Sequence, residues 1–266
     1  VIMGKTIVRT SGKGGVGKTT AVANIGSALA SMDQKVVLVD ADIGLRNLDV
    51  VLGLENRIVY DIVDVVEGRA KLRQALIKDK RFPNLCLLPA AQTRDKEAVS
   101  PEDMIRLCRD LREEFDFIII DSPAGIERGF KNAVTPADLA IIVTTPEVSA
   151  VRDADRIVGL LEAMEKEESK LIVNRVRTKL VSRGDMLSVE DVLDILSIDL
   201  IGVIPEDEHI IISTNRGEPL INNNSAPAGR SFLDIARRIL GEDVPINMYT
   251  EDENLFTRLK RLIGWR

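Results

Sequence analysis

Seven short apolar runs rich in β-branched residues punctuate the chain, at positions 5–10, 35–40, 85–89, 117–121, 140–145, 170–174 and 200–205. Each is a continuous apolar stretch rather than an alternation of apolar and polar residues, as in strands covered on both faces. Between the runs the apolar spacing changes to three and four. This predicts helices over 101–114, 150–166, 189–196 and 228–240, and over TAVANIGSALASM, which begins at Thr20. Strands alternating with helices predict an α/β fold: a single domain over 1–241, with a mostly parallel sheet and helices on both faces. Ligands of such sheets gather at the carboxyl ends of the strands. The positions to inspect are therefore Thr10, Asp40, Asp121, Thr144, Asn174 and Pro205. The polar stretch NNNSAPAG at 222–229 reads as a loop with helix beyond it, not as a domain boundary. Over 242–254 the pattern is lost and the chain turns acidic, as a tether does, before a last amphipathic segment at 255–266.

The first loop carries the sharpest signal. SGKGGVGKTT, residues 11–20, satisfies GxGxxG through Gly12, Gly14 and Gly17, and Asp40 could pass for the acidic residue of that dinucleotide turn. The same stretch satisfies the more demanding GxxxxGK[ST] from Gly12 to Thr19. A phosphate chain needs backbone N–H groups that point inward, here from Gly12, Lys13, Gly14, Gly15, Val16 and Gly17. It also needs a cation, Lys18, a hydroxyl for Mg²⁺, Thr19, and a helix N-terminus, opened by Thr20. A glycine-rich turn with a capping threonine would not require Lys18 and Thr19 side by side at this spacing. The motif leaves Lys13 unexplained.

Composition narrows the class. With 266 residues, 45% hydrophobic, the chain has ample material for one large core. A net charge of −6 argues against a general nucleic-acid binder, and no nucleic acid is expected as a partner. Cys86 and Cys108 lie far apart, with neither a zinc spacing nor a disulfide framework, and read as buried thiols. A single histidine, His209, leaves little room for histidine-based catalysis. No targeting segment and no run of 18 apolar residues is evident, so the expected location is cytoplasmic.

Carboxylates close two of the runs. Asp121 ends FDFIIID, where a phosphate-binding protein holds Mg²⁺ directly or through water. Asp40 and Asp42 follow the second run in VDADIGLRNLD. One fits a place near the metal and the other near the terminal phosphate, orienting water; on the residues alone, both equally fit a role in shaping the turn.

The last twelve residues, LFTRLKRLIGWR, place Leu255, Phe256, Leu259, Leu262 and Ile263 within an arc of about 120° on a helix. Arg258, Lys260, Arg261 and Arg266 supply four positive charges with no acid, and Trp265 lies beside one edge of the stripe. A twelve-residue helix is about 18 Å long, too short to span a bilayer, but it suits a place in the headgroup plane of an anionic membrane. By pattern alone, a terminal helix packed on the domain is an equal reading.

SGKGGVGKTT, DADIGLRNLDVVLGLENR, QALIKDKR, FIIIDSPAGIE, VTTPEVSAVRDADRI, IVNRVR, SRGDMLSVEDVL, GVIPED and STNRGEPL together resemble the ParA/MinD family of deviant Walker A ATPases, and within it the division-site regulators of bacteria and plastids. The resemblance runs from the first strand to the C-terminus. It implies a P-loop fold and hydrolysis of ATP to ADP and phosphate with Mg²⁺. It gives Lys13 a role: reaching across an ATP-bound homodimer to the partner's phosphates. It makes Lys13, Lys18 and Asp42 catalytic, with Asp42 positioning water, and makes Thr19, Asp40 and Asp121 the metal residues. It sets Asn174 and the loop of Pro205, Glu206 and Asp207 around the base. It implies that the tail, through Leu255, Phe256, Arg258, Leu259, Lys260, Arg261, Leu262, Ile263 and Trp265, holds the ATP-bound form peripherally on the inner face of the cell membrane. Arg46 and Asn47, with Arg152, Asp153, Asp155 and Arg156, would meet a MinC-like septum inhibitor and a MinE-like activator. Other classes compete: a ParA-like DNA-partitioning ATPase, an iron–sulfur carrier of the same superfamily, which needs paired cysteines, and a GxGxxG oxidoreductase.

Overall fold

The strands of the protein are β1 (Lys5–Thr10), β2 (Val36–Asp40), β3 (Ile77–Lys78), β4 (Leu85–Leu88), β5 (Phe117–Asp121), β6 (Leu139–Thr144), β7 (Ser169–Val176) and β8 (Asp199–Pro205). The helices between them are α1 (Lys18–Ser31), α2 (Leu48–Leu52), α3 (Ile62–Val66), α4 (Leu72–Ala75), α5 (Pro101–Leu111), α6 (Arg128–Val134), α7 (Val148–Ala163), α8 (Thr178–Ser182), α9 (Val189–Leu196), α10 (Glu208–Asn215) and α11 (Pro227–Ile239). The structure is a computed structural model and describes residues 4–94, 98–166, 168–223 and 225–249. The amphipathic segment 255–266 and the tether residues 250–254 lie outside the described residues.

One sheet contains all eight strands in the order β3-β4-β2-β5-β1-β6-β7-β8. Every pairing is parallel except that of β3 with β4. All seven apolar runs are strands, with ends moved by one or two residues. The unforeseen strand is β3, which pairs Ile77 with Leu87 and Lys78 with Cys86; two residues are too few to show a period. Helix α5 stops at Leu111, short of 114, where Glu113 and Glu114 would oppose the negative end of the helix dipole.

Buried side chains form two cores, one on each face. Ile7, Leu38, Ile119 and Ile141 turn toward α1, α2 and α11. Val8, Val37, Ile118 and Ile142 turn toward α3, α5, α6, α7 and α9. This alternation through strands that are apolar at nearly every position is what two-sided coverage requires. Caps set the helix starts: Ser100 and Asp103 for α5, and Ser188 and Asp191 for α9, form reciprocal capping boxes. Of the tether, residues 242–249 run without helix or strand back along α11. The Arg238 guanidinium donates to Val244 O (2.8 Å) and Pro245 O (2.7 Å). Tyr249 Oη bonds Ser231 Oγ (2.7 Å) and donates to Pro227 O (3.3 Å).

Candidate functional site

Strand β1 lies at the centre of the sheet, and chain order reverses around it, with β5 and β2 on one side and β6 on the other. Such a reversal leaves a crevice at the carboxyl ends. The loop of residues 11–17 leaves β1 into this crevice and turns into α1. Gly17 is the N-cap of α1 at φ 89° and offers no side chain to the first turn. The N–H groups there are left for an external anion. A Cβ on Gly17 would lie 2.3 Å from Asn174 Nδ2, and one on Gly12 would lie 2.2 Å from the Asp153 carbonyl of α7. The loop is thus wedged between β7 and α7, and Gly125 N–H ties the loop after β5 to Ser11 O (3.0 Å).

Under the loop lies a row of charges. Arg9, Asp121 and Asp40 are register neighbours on β1, β5 and β2. Their parity puts all three on the face that bears α1, with Ile7, Ile119 and Leu38. Lys18, first residue of α1, is ion-paired to Asp121, and both side chains are nearly inaccessible. Asp40 accepts N–H bonds from Asp42 (3.0 Å) and Leu48 (3.3 Å). Burial, then the charge of Asp121, nevertheless raises its carboxyl pKa to about 7. Arg9 is 0% exposed, and none of its three guanidinium nitrogens has a hydrogen-bond partner. Burial lowers its pKa to about 9 against the attraction of Asp121.

This row fits a divalent cation beside a phosphate chain. Two buried carboxylates in register, one pushed toward neutrality by burial and then by the other, are relieved by a positive charge at their open end. Among the described residues no cluster of three His, Cys, Asp or Glu forms a self-sufficient metal site. A hard cation here would take one or two carboxylates and Thr19 from the chain and its other oxygens from phosphate and water, as Mg²⁺ does.

A second group of polar residues lies toward the ends of β7 and β8. Asn174 leaves β7 toward the loop, donating from Nδ2 to Val16 O (2.8 Å), while its buried Oδ1 has no donor. A register shift between Val173 and Val176, with Arg175 at φ 58°, lets both valines reach the opposite core while Asn174 faces the loop. That lone acceptor matches the exocyclic amino group of a purine such as adenine. Pro205 ends β8, and Glu206 is joined to Arg177 (2.6 Å). Asp207 caps α10 through His209 N–H (3.0 Å) and accepts Ala228 N–H (3.1 Å) at the start of α11.

Comparison with known proteins identifies the family. Residues 7–220 match the CobQ/CobB/MinD/ParA nucleotide binding domain. The septum site-determining protein MinD of Bacillus subtilis is 55% identical, over 99% of this chain and 100% of its own. The chain belongs to the MinD family. Two solved members share the fold. A MinC:MinD cell division protein complex from Aquifex aeolicus matches at TM-score 0.86 and 53% identity, covering 91% of this chain and 98% of that one. Pyrococcus horikoshii MinD complexed with Mg-ADP matches at TM-score 0.81 and 30% identity, covering 91% of this chain and 100% of that one.

Other residues singled out by the MinD-family pattern are more dispersed. Lys13 is exposed, and its ammonium donates to Ser149 Oγ (3.4 Å) at the start of α7. Asp42 is half-buried; its carbonyl accepts Leu45 and Arg46 N–H bonds (3.2 Å each), which closes a tight turn. Arg46 is not an exposed charge: its side chain is 17% accessible, at φ 42°, against buried Asp49 (2.9 Å). Asn47 is exposed. On α7, Arg152, Asp155 and Arg156 are exposed, with Arg156 and Asp153 3.7 Å apart. Cys108 is buried with its thiol pushed up to about 12, and burial also raises that of half-buried Cys86. Sequence reasoning missed Arg9, hidden inside a strand-like run, and the partners of Asp79 and Arg81 in QALIKDKR, for which no local pattern gives a signal.

Proposed function

We propose that this chain is an ATP-switched regulator of division-site placement: a Mg²⁺-dependent ATPase that dimerises on ATP, docks on the inner face of the cell membrane and leaves it on hydrolysis. Full-length identity of 51–55% to septum site-determining MinD proteins supports the division-site role over DNA partitioning. The observation that carries the nucleotide reading is the uncapped start of α1 beside the Lys18–Asp121 pair and the buried, unpaired acceptor of Asn174. A charge pair, a helix N-terminus and an unpaired amide acceptor meeting at one loop support this reading.

The residues divide the work by chemistry. Backbone N–H groups of 12–20 cradle the phosphates, and Lys18 leaves Asp121 to neutralise them. Thr19, Asp40 and Asp121 would hold Mg²⁺, whose charge would offset that of the phosphates. Asp42 orients the attacking water, since phosphoryl transfer is mostly positioning and charge neutralisation. Lys13 is exposed and so available to a second protomer, where an added cation stabilises charge in the transition state. The segment 255–266 contacts anionic lipid, and pairing two such short anchors raises their joint affinity. A MinC-like inhibitor is the expected partner, in keeping with the Aquifex aeolicus MinC:MinD complex; a MinE-like activator would act on the 42–49 loop and α7.

The test is co-sedimentation with anionic vesicles in Mg-ATP or Mg-ADP, using the full chain, a form ending at Asn254, and Lys13→Ala. Pelleting in ATP alone, abolished by truncation and by Lys13→Ala, is the expected result. Equal pelleting in both nucleotides would refute the switch, and pelleting by the truncated form would refute the anchor.

A further inference from the structure

The motif QALIKDKR has no role in the site described above, yet its Asp79 and Arg81 are among the most elaborately bonded residues of the fold. Asp79 follows β3, and its side chain is 0% accessible. Its carboxylate accepts the N–H groups of Arg81 (2.7 Å) and Phe82 (3.2 Å), which makes the turn, and the Arg81 guanidinium through Nη2 (2.9 Å). Burial opposes its ionisation, but the hydrogen bonds from Arg81 and Phe82 hold its pKa below the usual carboxylate range. Oriented in this way, Arg81 donates from Nη2 to Leu52 O (2.5 Å) and from Nη1 to Gly217 O (2.6 Å). Leu52 is the last residue of α2, and Gly217 follows the last turn of α10. The two chain ends touch through glycines, both with positive φ: a Cβ on Gly53 would lie 2.8 Å from Gly217 O.

Each of these helices starts at the candidate site. Helix α2 begins where Leu48 N–H meets Asp40, and α10 begins at its Asp207 cap beside the base loop. A continuous path therefore leads from the carboxylate row along α2, through one guanidinium, and back along α10 to the base end. We infer that Arg81, held by Asp79, is a positioning residue: it locks the α2 end to the α10 end, so that occupation of the base side fixes the loop carrying Asp40 and Asp42. The inference rests on the nucleotide-site reading above. A planar fork is needed for two carbonyls at once while the same group stays bonded to a carboxylate, which an ammonium cannot reproduce. Both acceptors also lie at helix C-termini, where a cation is favoured.

The test is hydrogen exchange of the full chain with and without saturating ADP, first in EDTA so that no metal ties the nucleotide to Asp40, then with Mg²⁺. In the wild type, ADP alone is expected to slow exchange at 12–20, at 208–217 and, through the lock, at 40–52. In Arg81→Met, ADP affinity stays within threefold and protection at 12–20 persists, but protection at 40–52 falls at least threefold; Arg81→Lys is intermediate. Asp79→Asn, which keeps an acceptor for the turn, shifts the same segment in the same direction and covers the case of an Arg81→Met chain that does not fold. In ATP turnover, kcat of Arg81→Met or Asp79→Asn drops about tenfold or more, the scale of a misplaced catalytic group, with KM little changed. Undiminished ADP protection at 40–52 in the variants, or none there in the wild type, overturns the lock and leaves the nucleotide site standing. No ADP binding by the wild type removes both.

Discussion

Arg9 is an arginine in the middle of a core, and the structure sets a magnitude for its cost. Its guanidinium is wholly inaccessible and unbonded, and its pKa falls from 12.5 to about 9 with the attraction of Asp121 already counted. Three and a half decades correspond to roughly 5 kcal/mol against the charged form. Methionine keeps the aliphatic stem and removes the charge, leaving a small void that costs roughly 1–2 kcal/mol. Arg9→Met is therefore expected to stabilise the nucleotide-free protein by about 3 kcal/mol, within the ~1–4 kcal/mol found when buried charges give way to apolar groups. Arg9→Lys, still a buried cation, gives no such gain. The assay is urea unfolding at pH 7.5 without nucleotide, with the slope checked against wild type so that a change in midpoint reads as stability. A loss of more than about 1 kcal/mol in Arg9→Met would refute the argument. It would mean that attraction to Asp121, or water bound to the guanidinium, exceeds the cost of burial.

Three further outcomes follow from the same site. Gly17→Ala combines a left-handed φ with a Cβ 2.3 Å from Asn174; strain and the displaced Asn174 bond should cost about 2–5 kcal/mol in urea unfolding and weaken nucleotide binding in titration calorimetry. Lys18→Met leaves Asp121 buried without its partner and should cost about 3–5 kcal/mol, most of it regained in the double variant with Asp121→Asn; no recovery would mean the pair is not coupled. For Asp40 the folded pKa, about 7, lies above the unfolded one, so between these values the folded state holds a proton the unfolded state lacks. Stability of the metal-free wild type then falls as pH rises through that window and stays low above it. Asp40→Asn should accordingly compare better with wild type at pH 8 than at pH 5, and an equal difference at both pH values would contradict the shift.

Much of this architecture was legible because it is local. Runs such as FIII, before Asp121, are apolar at every position only when both faces are covered, and the Gly12–Thr19 spacing carries its chemistry within eight residues. The ends of β2 and β5, and hence Asp40 and Asp121, followed directly, while β7 runs two residues past Asn174. What remained hidden depends on neighbours far along the chain. Arg9 reads as an ordinary polar residue of a strand until β5 and α1 enclose it. Arg46 reads as an exposed charge until its left-handed turn folds it onto Asp49. Strand β3 is too short for a period, and the bonds of Arg81 span 29 and 136 residues. No window of sequence contains such partners.

The strap along α11 would alter the mechanics of the proposed attachment. Tyr249 is fastened at Pro227, beside the start of α11 and near the carboxyl edge of the sheet, and five positions, 250–254, separate it in sequence from the segment proposed to meet lipid. Five residues extend at most about 18 Å, less than a free stretch of thirteen would allow. A body moored this closely has few orientations open to it on a surface. If the proposed anchor holds, the edge that carries the nucleotide crevice would stay within a short radius of the mooring point, and two such bodies on one surface would meet with those edges at similar heights, a search in two dimensions rather than three.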